Sequence, residues 1–206
     1  MGQPTQEQTI LSMERRLVLL HGWGASGDDL RPLGLQLSAE AACELEVICL
    51  EAPNPHPQPG GRQWYGLFPP DWNAVPTAVE QLQARLLGLE RDGVPLKHTV
   101  LFGFSQGGAM ALDCGCNLPL AGVISCSGYP HPEWKPPEDH PPVLLMHGSG
   151  DEVVPSEAMN EIIRRLDGNR CESHCFESGH TIPPEMVRPI LQFLKRVLPP
   201  SGTDNV

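Results

Sequence analysis

Three residues in this chain have the types and placement to break an acyl bond: Ser105, Asp151 and His180. Ser105 lies in Gly103-Phe104-Ser105-Gln106-Gly107, where the apolar run Thr99-Val100-Leu101-Phe102 passes straight into the small-residue segment Gly107-Gly108-Ala109-Met110-Ala111-Leu112. A serine on such a strand-to-helix turn holds its hydroxyl clear of the sheet, as a nucleophile elbow requires. Its own amide and that of Gln106 would then lie at a helix N-terminus, where anionic oxygen is stabilised. A serine hydroxyl is a weak nucleophile alone. It needs a base within hydrogen-bond reach, and the base needs an acid to fix its tautomer and stabilise its cation. The run Val143 to Met146 leads into His147-Gly148-Ser149-Gly150-Asp151, which places Asp151 on a loop at a strand end. The run Arg170 to Phe176 leads into Ser178-Gly179-His180, just before the prolines of the final helix.

Each assignment has a competitor. Asp151 could be a simple turn or cap residue, as Asp after Gly often is, and Glu152 is its nearest rival. The longer side chain of Glu152 and the following Val153-Val154 point it to solvent. His21 and His147 precede glycines at the ends of other strands and read as loop-bracing residues. His174 falls on the face of a strand. The segment Cys171-x-x-His174-Cys175 resembles a metal cluster only superficially, because Cys171, Ser173 and Cys175 alternate as a strand does and no second ligand pair has zinc-like spacing.

A tetrahedral intermediate also needs donors aimed at its oxyanion. One is the amide of Gln106. The other is expected from the loop after the first apolar run, His21-Gly22-Trp23-Gly24-Ala25-Ser26-Gly27, with Trp23 as the donor because two glycines flank it and permit unusual backbone angles.

These residues require elements to carry them. Runs at Leu17 to Leu20, Leu45 to Leu50, Thr99 to Phe104, Ala121 to Cys126, Val143 to Met146 and Arg170 to Phe176 read as strands, most of them apolar on both faces and so covered on both. Between them, Val75, Val79, Leu82, Leu86 and Leu89 recur at helical spacing, with Asn73 as cap and Pro76 in the first turn. Asp29 to Leu37 predicts a shorter helix. Met159, Ile162, Ile163 and Leu166 mark another, and Ile190, Leu191, Leu194 and Val197 the last, whose first turn Pro189 is expected to separate. Alternating strand and helix imply a mainly parallel twisted sheet of about six or seven strands with helices on both faces. Two long loops, Ala52 to Trp72 and Gly128 to Pro142, are of the length that usually carries function.

The 206 residues suit one domain, 1–206 with its core at about 15–198. Twenty-five acidic against 14 basic side chains give a formal charge of −11 with no basic cluster, which argues against nucleic acid and against stable membrane anchoring. Met1 to Ser12 is polar and is not expected to be a secretory signal. Met1-Gly2 lacks the Ser or Thr at position 6 of a myristoylation site, and Asp204-Asn205-Val206 is no prenylation box. Seven cysteines, an odd number, are expected as reduced thiols, with Cys114 and Cys116 packing on the helix after Ser105. The expected place is the cytoplasm and the expected state a monomer or homodimer.

Assembled, the motifs resemble the phospholipase/carboxylesterase family of α/β-hydrolases, which includes acyl-protein thioesterases and small bacterial carboxylesterases. His21-Gly22-Trp23-Gly24 is similar to the family's oxyanion loop. Gly103 to Gly108 resembles its G-F-S-Q-G-G elbow, Asp151 with Val153-Val154-Pro155 its acid loop, and Gly179-His180 its histidine loop. The order serine, acid, histidine is that of the α/β-hydrolase triad. The resemblance implies an α/β-hydrolase fold without a separate cap domain, and a serine carboxylesterase that uses no cofactor and no metal. Ala25 and Trp23 depart from the Asp and Leu common in eukaryotic thioesterases, while Pro55-His56-Pro57 and Gly60 to Tyr65 look more like the bacterial enzymes. Trp64, Tyr65, Phe68 and Trp72 are expected as the walls of an apolar acyl groove, or else as anchors of the loop that bears them. Short- to medium-chain acyl esters are the expected substrates, with a lysophospholipid or acyl-protein thioester as the alternative. A non-catalytic binding protein on a hydrolase fold is the rival of a different class.

Overall fold

The computed structural model describes residues 14–41 and 43–198. Met1 to Ser12 and Asp204 to Val206, read above for targeting signals, lie outside the described residues. In chain order the elements are β1 (Arg16–Leu20), α1 (Arg31–Glu40), β2 (Glu46–Leu50), β3 (Asn54–Pro55), β4 (Arg62–Gln63), α2 (Val75–Arg91), β5 (Thr99–Phe104), α3 (Gln106–Gly115), β6 (Gly122–Cys126), β7 (Val143–Gly148), α4 (Glu157–Ile163), β8 (Cys171–Phe176) and α5 (Val187–Val197). Six strands form one sheet in the order β2-β1-β5-β6-β7-β8, and every neighbouring pair is parallel. The six runs expected as strands are these six.

Near-continuous apolar character follows from double coverage. Along β1, Val18 and Leu20 join the core with α2, α3 and α4, while Leu17 and Leu19 join the core with α1 and α5. In β7, Val143 and Leu145 face the first core, and Leu144 and Met146 the second. Cys114 and Cys116 pack in the first core as small apolar groups. All seven cysteines are free thiols.

Three local expectations are corrected. Asn73 does not cap α2, because a 3₁₀ turn at Trp72–Ala74 feeds directly into it and leaves no extended residue to cap; Pro76 is within the first two positions, as expected. α1 begins at Arg31, the preceding Gly27–Leu30 being a 3₁₀ turn. Pro189 lies inside the first turn of α5, where a missing N–H costs no helical bond, and the separate turn is the 3₁₀ segment Pro184–Met186.

The elbow is possible because α3 crosses the sheet at backbone contact. A Cβ on Gly103 would stand 2.0 Å from the carbonyl oxygen of Gly107, and one on Gly107 would stand 2.2 Å from that of Leu20. Gly107→Ala is therefore expected to push α3 off β1 and to destabilise the fold by about 3 kcal/mol or more. Urea unfolding checks this, the expected result being a lower midpoint with an unchanged slope.

Candidate active site

Between β5 and α3 the chain turns at Ser105 with φ 55° and ψ −119°, a conformation an L-residue adopts only under constraint. The constraint is visible: the Ser105 N–H donates to the Cys126 carbonyl at 2.9 Å, and its carbonyl accepts from Ala109 N–H at 3.1 Å. The first bond changes one expectation. The amide of Ser105 is engaged by β6 and is not a free donor for an oxyanion.

The loops after β7 and β8 converge on this turn. His180 Nε2 lies 3.0 Å from Ser105 Oγ, and Nδ1 lies 2.7 Å from Asp151 Oδ2. A carboxylate only accepts, so the imidazole proton is assigned to Nδ1, which leaves Nε2 to accept from the serine hydroxyl. The other oxygen of Asp151 accepts from the N–H groups of Val153 and Val154 at 3.0 and 2.9 Å. Burial opposes the charge of Asp151, but the hydrogen bonds from His180 and Val154 outweigh it and hold the carboxyl below its ordinary range. His147 braces the acid loop: its Nε2 donates to Val154 O at 2.8 Å, and the ring stands 3.6 Å from Asp151 Oδ2. Glu152 is exposed and His174 pairs with Glu172 at 2.7 Å on β8, away from the serine.

The loop after β1 is held as firmly. His21 Nδ1 donates to Gly22 O at 2.8 Å and Nε2 accepts from Ala52 N–H at 3.0 Å. Burial lowers the pKa of this ring, in keeping with a neutral bracing role. β3 and β4 form a small antiparallel hairpin against the loop. Gly24 N–H donates to Arg62 O and Arg62 N–H to Ala25 O, each at 2.9 Å, while Trp23 Nε1 donates to Gln63 Oε1 at 2.9 Å. Among the described residues the backbone N–H of Trp23 has no partner. The N–H of Gln106 heads α3, where helical bonding leaves it free. The side chain of Gln106 is itself clamped, accepting from Trp64 N–H at 3.0 Å and donating to Tyr65 O at 2.8 Å.

That clamp divides the four aromatic residues of the long loop. Trp64 and Tyr65 are each 1% exposed and anchor the loop to the body, contrary to a role as groove walls. Trp64 Nε1 donates to His21 O at 3.0 Å. The Tyr65 hydroxyl lies 2.7 Å from that of Tyr129 and 2.8 Å from His131 Nε2, and His131 Nδ1 lies 2.7 Å from Asp113. Burial pushes both phenols up, that of Tyr129 to about 12, so they remain protonated. Phe68 and Trp72, 72% and 39% exposed, do line a groove over the serine. With Trp23, Leu67, Tyr129 and Val153 they bound a cavity of about 460 Å³ that reaches Ser105 and His180. Tyr129 and the Asp113–His131 pair escaped sequence reasoning, since nothing in the spacing of residues 65, 113, 129 and 131 brings them together.

A model of the phospholipase/carboxylesterase family matches residues 6–198. The chain is 31% identical over 124 residues to acyl-protein thioesterase 1 of Gibberella zeae, a match covering 54% of this chain and 53% of that protein, so the chain spans about half the length of that relative. It is 28% identical over 220 residues to carboxylesterase SOBER1 of Arabidopsis thaliana, covering 93% and 94% of the two. The crystal structure of esterase PE8 is similar at a TM-score of 0.81 with 32% identity, over 90% of this chain and 94% of that one.

Proposed function

The chain belongs to the phospholipase/carboxylesterase family and is a serine hydrolase of the α/β-hydrolase fold, and from that premise we propose that it hydrolyses carboxylic esters of short to medium acyl chains through an acyl-enzyme on Ser105. The observation that carries this reading is the unbroken chain from Asp151 Oδ2 through His180 to Ser105 Oγ, at 2.7 and 3.0 Å. As Ser105 Oγ attacks the acyl carbon, His180 Nε2 takes its proton and Asp151 stabilises the imidazolium. The N–H groups of Trp23 and Gln106 receive the oxyanion. His180 returns the proton to the leaving oxygen as the bond to the acyl carbon breaks, and then activates water to release the acid.

The acyl chain lies in the groove of Leu67, Phe68, Trp72, Tyr129 and Val153. This groove is apolar and open to solvent, which favours loose selection by length. A thioester passes through the same steps with sulfur as the leaving atom, and the name of the Gibberella zeae relative supports testing acyl thioesters beside oxygen esters. Among the described residues no helix is long and apolar enough to cross a membrane; the substrates proposed are small acyl esters or thioesters.

Labelling with an alkyl fluorophosphonate tests the reading. One adduct per chain on the peptide carrying Ser105 is expected by mass spectrometry. A correctly folded protein that takes no label would return the fold to the rank of a binding module.

A further inference from the structure

The two long loops meet in a buried chain of hydrogen bonds. Asp113 of α3 lies 2.7 Å from His131 Nδ1, His131 Nε2 lies 2.8 Å from the Tyr65 hydroxyl, and that hydroxyl lies 2.7 Å from the hydroxyl of Tyr129. Among the described residues the two contacts of Tyr65 are the only hydrogen bonds between the loop at 52–72 and the loop at 128–142. The carboxylate sets every direction along the chain. It can only accept, so the imidazole proton is assigned to Nδ1, Nε2 accepts from Tyr65, and the Tyr65 oxygen accepts from Tyr129. Tyr65 and His131 are each 1% exposed. One end of the chain reaches the groove: Tyr129 lines it beside Ser105, and so does Trp72, whose ring stands 6.1 Å from that of Tyr65 and 6.5 Å from those of Tyr129 and His131. The other end is on α3, the helix that Ser105 heads. Nucleophile and groove wall are thus tied to one helix.

We propose that Asp113, His131 and Tyr65 are positioning residues for the acyl chain: they lock Tyr129 and Trp72 into a preformed wall of the groove. The inference rests on the esterase reading above, in which that groove takes the acyl group. A buried polar chain among apolar residues is costly unless every member is satisfied, and when satisfied it fixes a geometry that apolar packing alone leaves free. Each hydroxyl and each ring nitrogen here has its partner. The groove needs no hydroxyl for its apolar character, which phenylalanine at 65 and 129 would supply as well. What the hydroxyls add is a fixed place for the rings. A wall already held when substrate arrives need not be ordered by it, and binding is tighter by the entropy not lost. An acetyl group has no chain to lay against that wall; an octanoyl group has.

Ethyl esters from acetate to octanoate test this in Asp113→Ala, which removes the anchor, in Tyr65→Phe, which breaks both bonds of the link, and in Asp113→Asn, which keeps an acceptor for His131 Nδ1. In the first two, the ratio of kcat/KM for ethyl octanoate to that for ethyl acetate is expected to fall about fivefold or more below the parent's, through a higher KM for the octanoate. In Asp113→Asn the ratio is expected to return to within about twofold of the parent's. A lower unfolding midpoint with an unchanged ratio would mean that the chain serves stability alone, and would overturn the proposal. So would an equal loss with both esters, or a loss with octanoate that Asp113→Asn does not restore. Fluorophosphonate labelling of Ser105 in the parent and in each variant keeps these outcomes apart from failure of the esterase reading, in which the parent itself takes no label.

Discussion

Ser105→Ala is expected to lower kcat for p-nitrophenyl ester hydrolysis by about 10⁶-fold, the scale set by removal of the nucleophile from a serine-protease triad, and to abolish fluorophosphonate labelling. The fold should not notice the change. Among the described residues Ser105 Oγ has one hydrogen-bond partner, His180 Nε2 at 3.0 Å, and the backbone bonds that hold the turn, to Cys126 and Ala109, involve no side-chain atom. Alanine meets the same positive φ as serine, so the strain of the turn is retained rather than relieved. Thermal unfolding within about 2 °C of the parent, together with lost turnover, is the expected pair of results. Turnover within about tenfold of the parent would remove Ser105 from the chemistry, because water bound near His180 cannot replace an attacking alkoxide on that scale.

The triad was legible because each of its members sits where a short apolar run stops, and such runs are readable one at a time. Asp151 and His180 lie on the loops that follow β7 and β8, and the parallel pairing of β5 through β8 brings both loops to the same carboxyl end of the sheet as the elbow. The aromatic loop was not legible in the same way. Trp64, Tyr65, Phe68 and Trp72 lie within nine positions without a helical or strand period, so nothing local says which face each takes. Burial of the first two is decided by distant partners: Gln106 holds their backbone, and the Tyr129–His131–Asp113 chain receives the Tyr65 hydroxyl. The same loop, through Arg62 and Gln63, fixes the backbone on which the Trp23 N–H depends. Its Pro and Gly content hinted at a structured loop, but its hold on the segments that carry Trp23 and Gln106, the proposed oxyanion donors, emerged only from pairings across about 40 residues of chain.

Asp151→Asn is expected to lower kcat by about 10⁴-fold with little change in KM, the loss known for the corresponding exchange in another serine hydrolase fold. The reason lies in the two oxygens of Asp151. One accepts from the N–H groups of Val153 and Val154, so an asparagine must put its carbonyl oxygen there and its amide nitrogen toward His180. A donor 2.7 Å from Nδ1 forces that nitrogen to accept, and the imidazole proton moves to Nε2. There it points at Ser105, and the base can no longer take the hydroxyl proton. Asp151 does not line the groove proposed for the acyl chain, which is why KM is expected to be spared. The same substitution has a signature in acid. The folded-state pKa of Asp151 lies below its unfolded value, so its carboxylate contributes stability that is present above about pH 3.9 and lost as pH falls through the folded value. Asparagine lacks that titration, and the stability difference between parent and variant should narrow below about pH 4. Glu152→Gln is the control: exposed and outside the triad contacts, it should leave kcat within about twofold. If the two variants exchanged their effects, the acid would be Glu152, and the bonds of Val153 and Val154 to Asp151 would serve only to shape the turn.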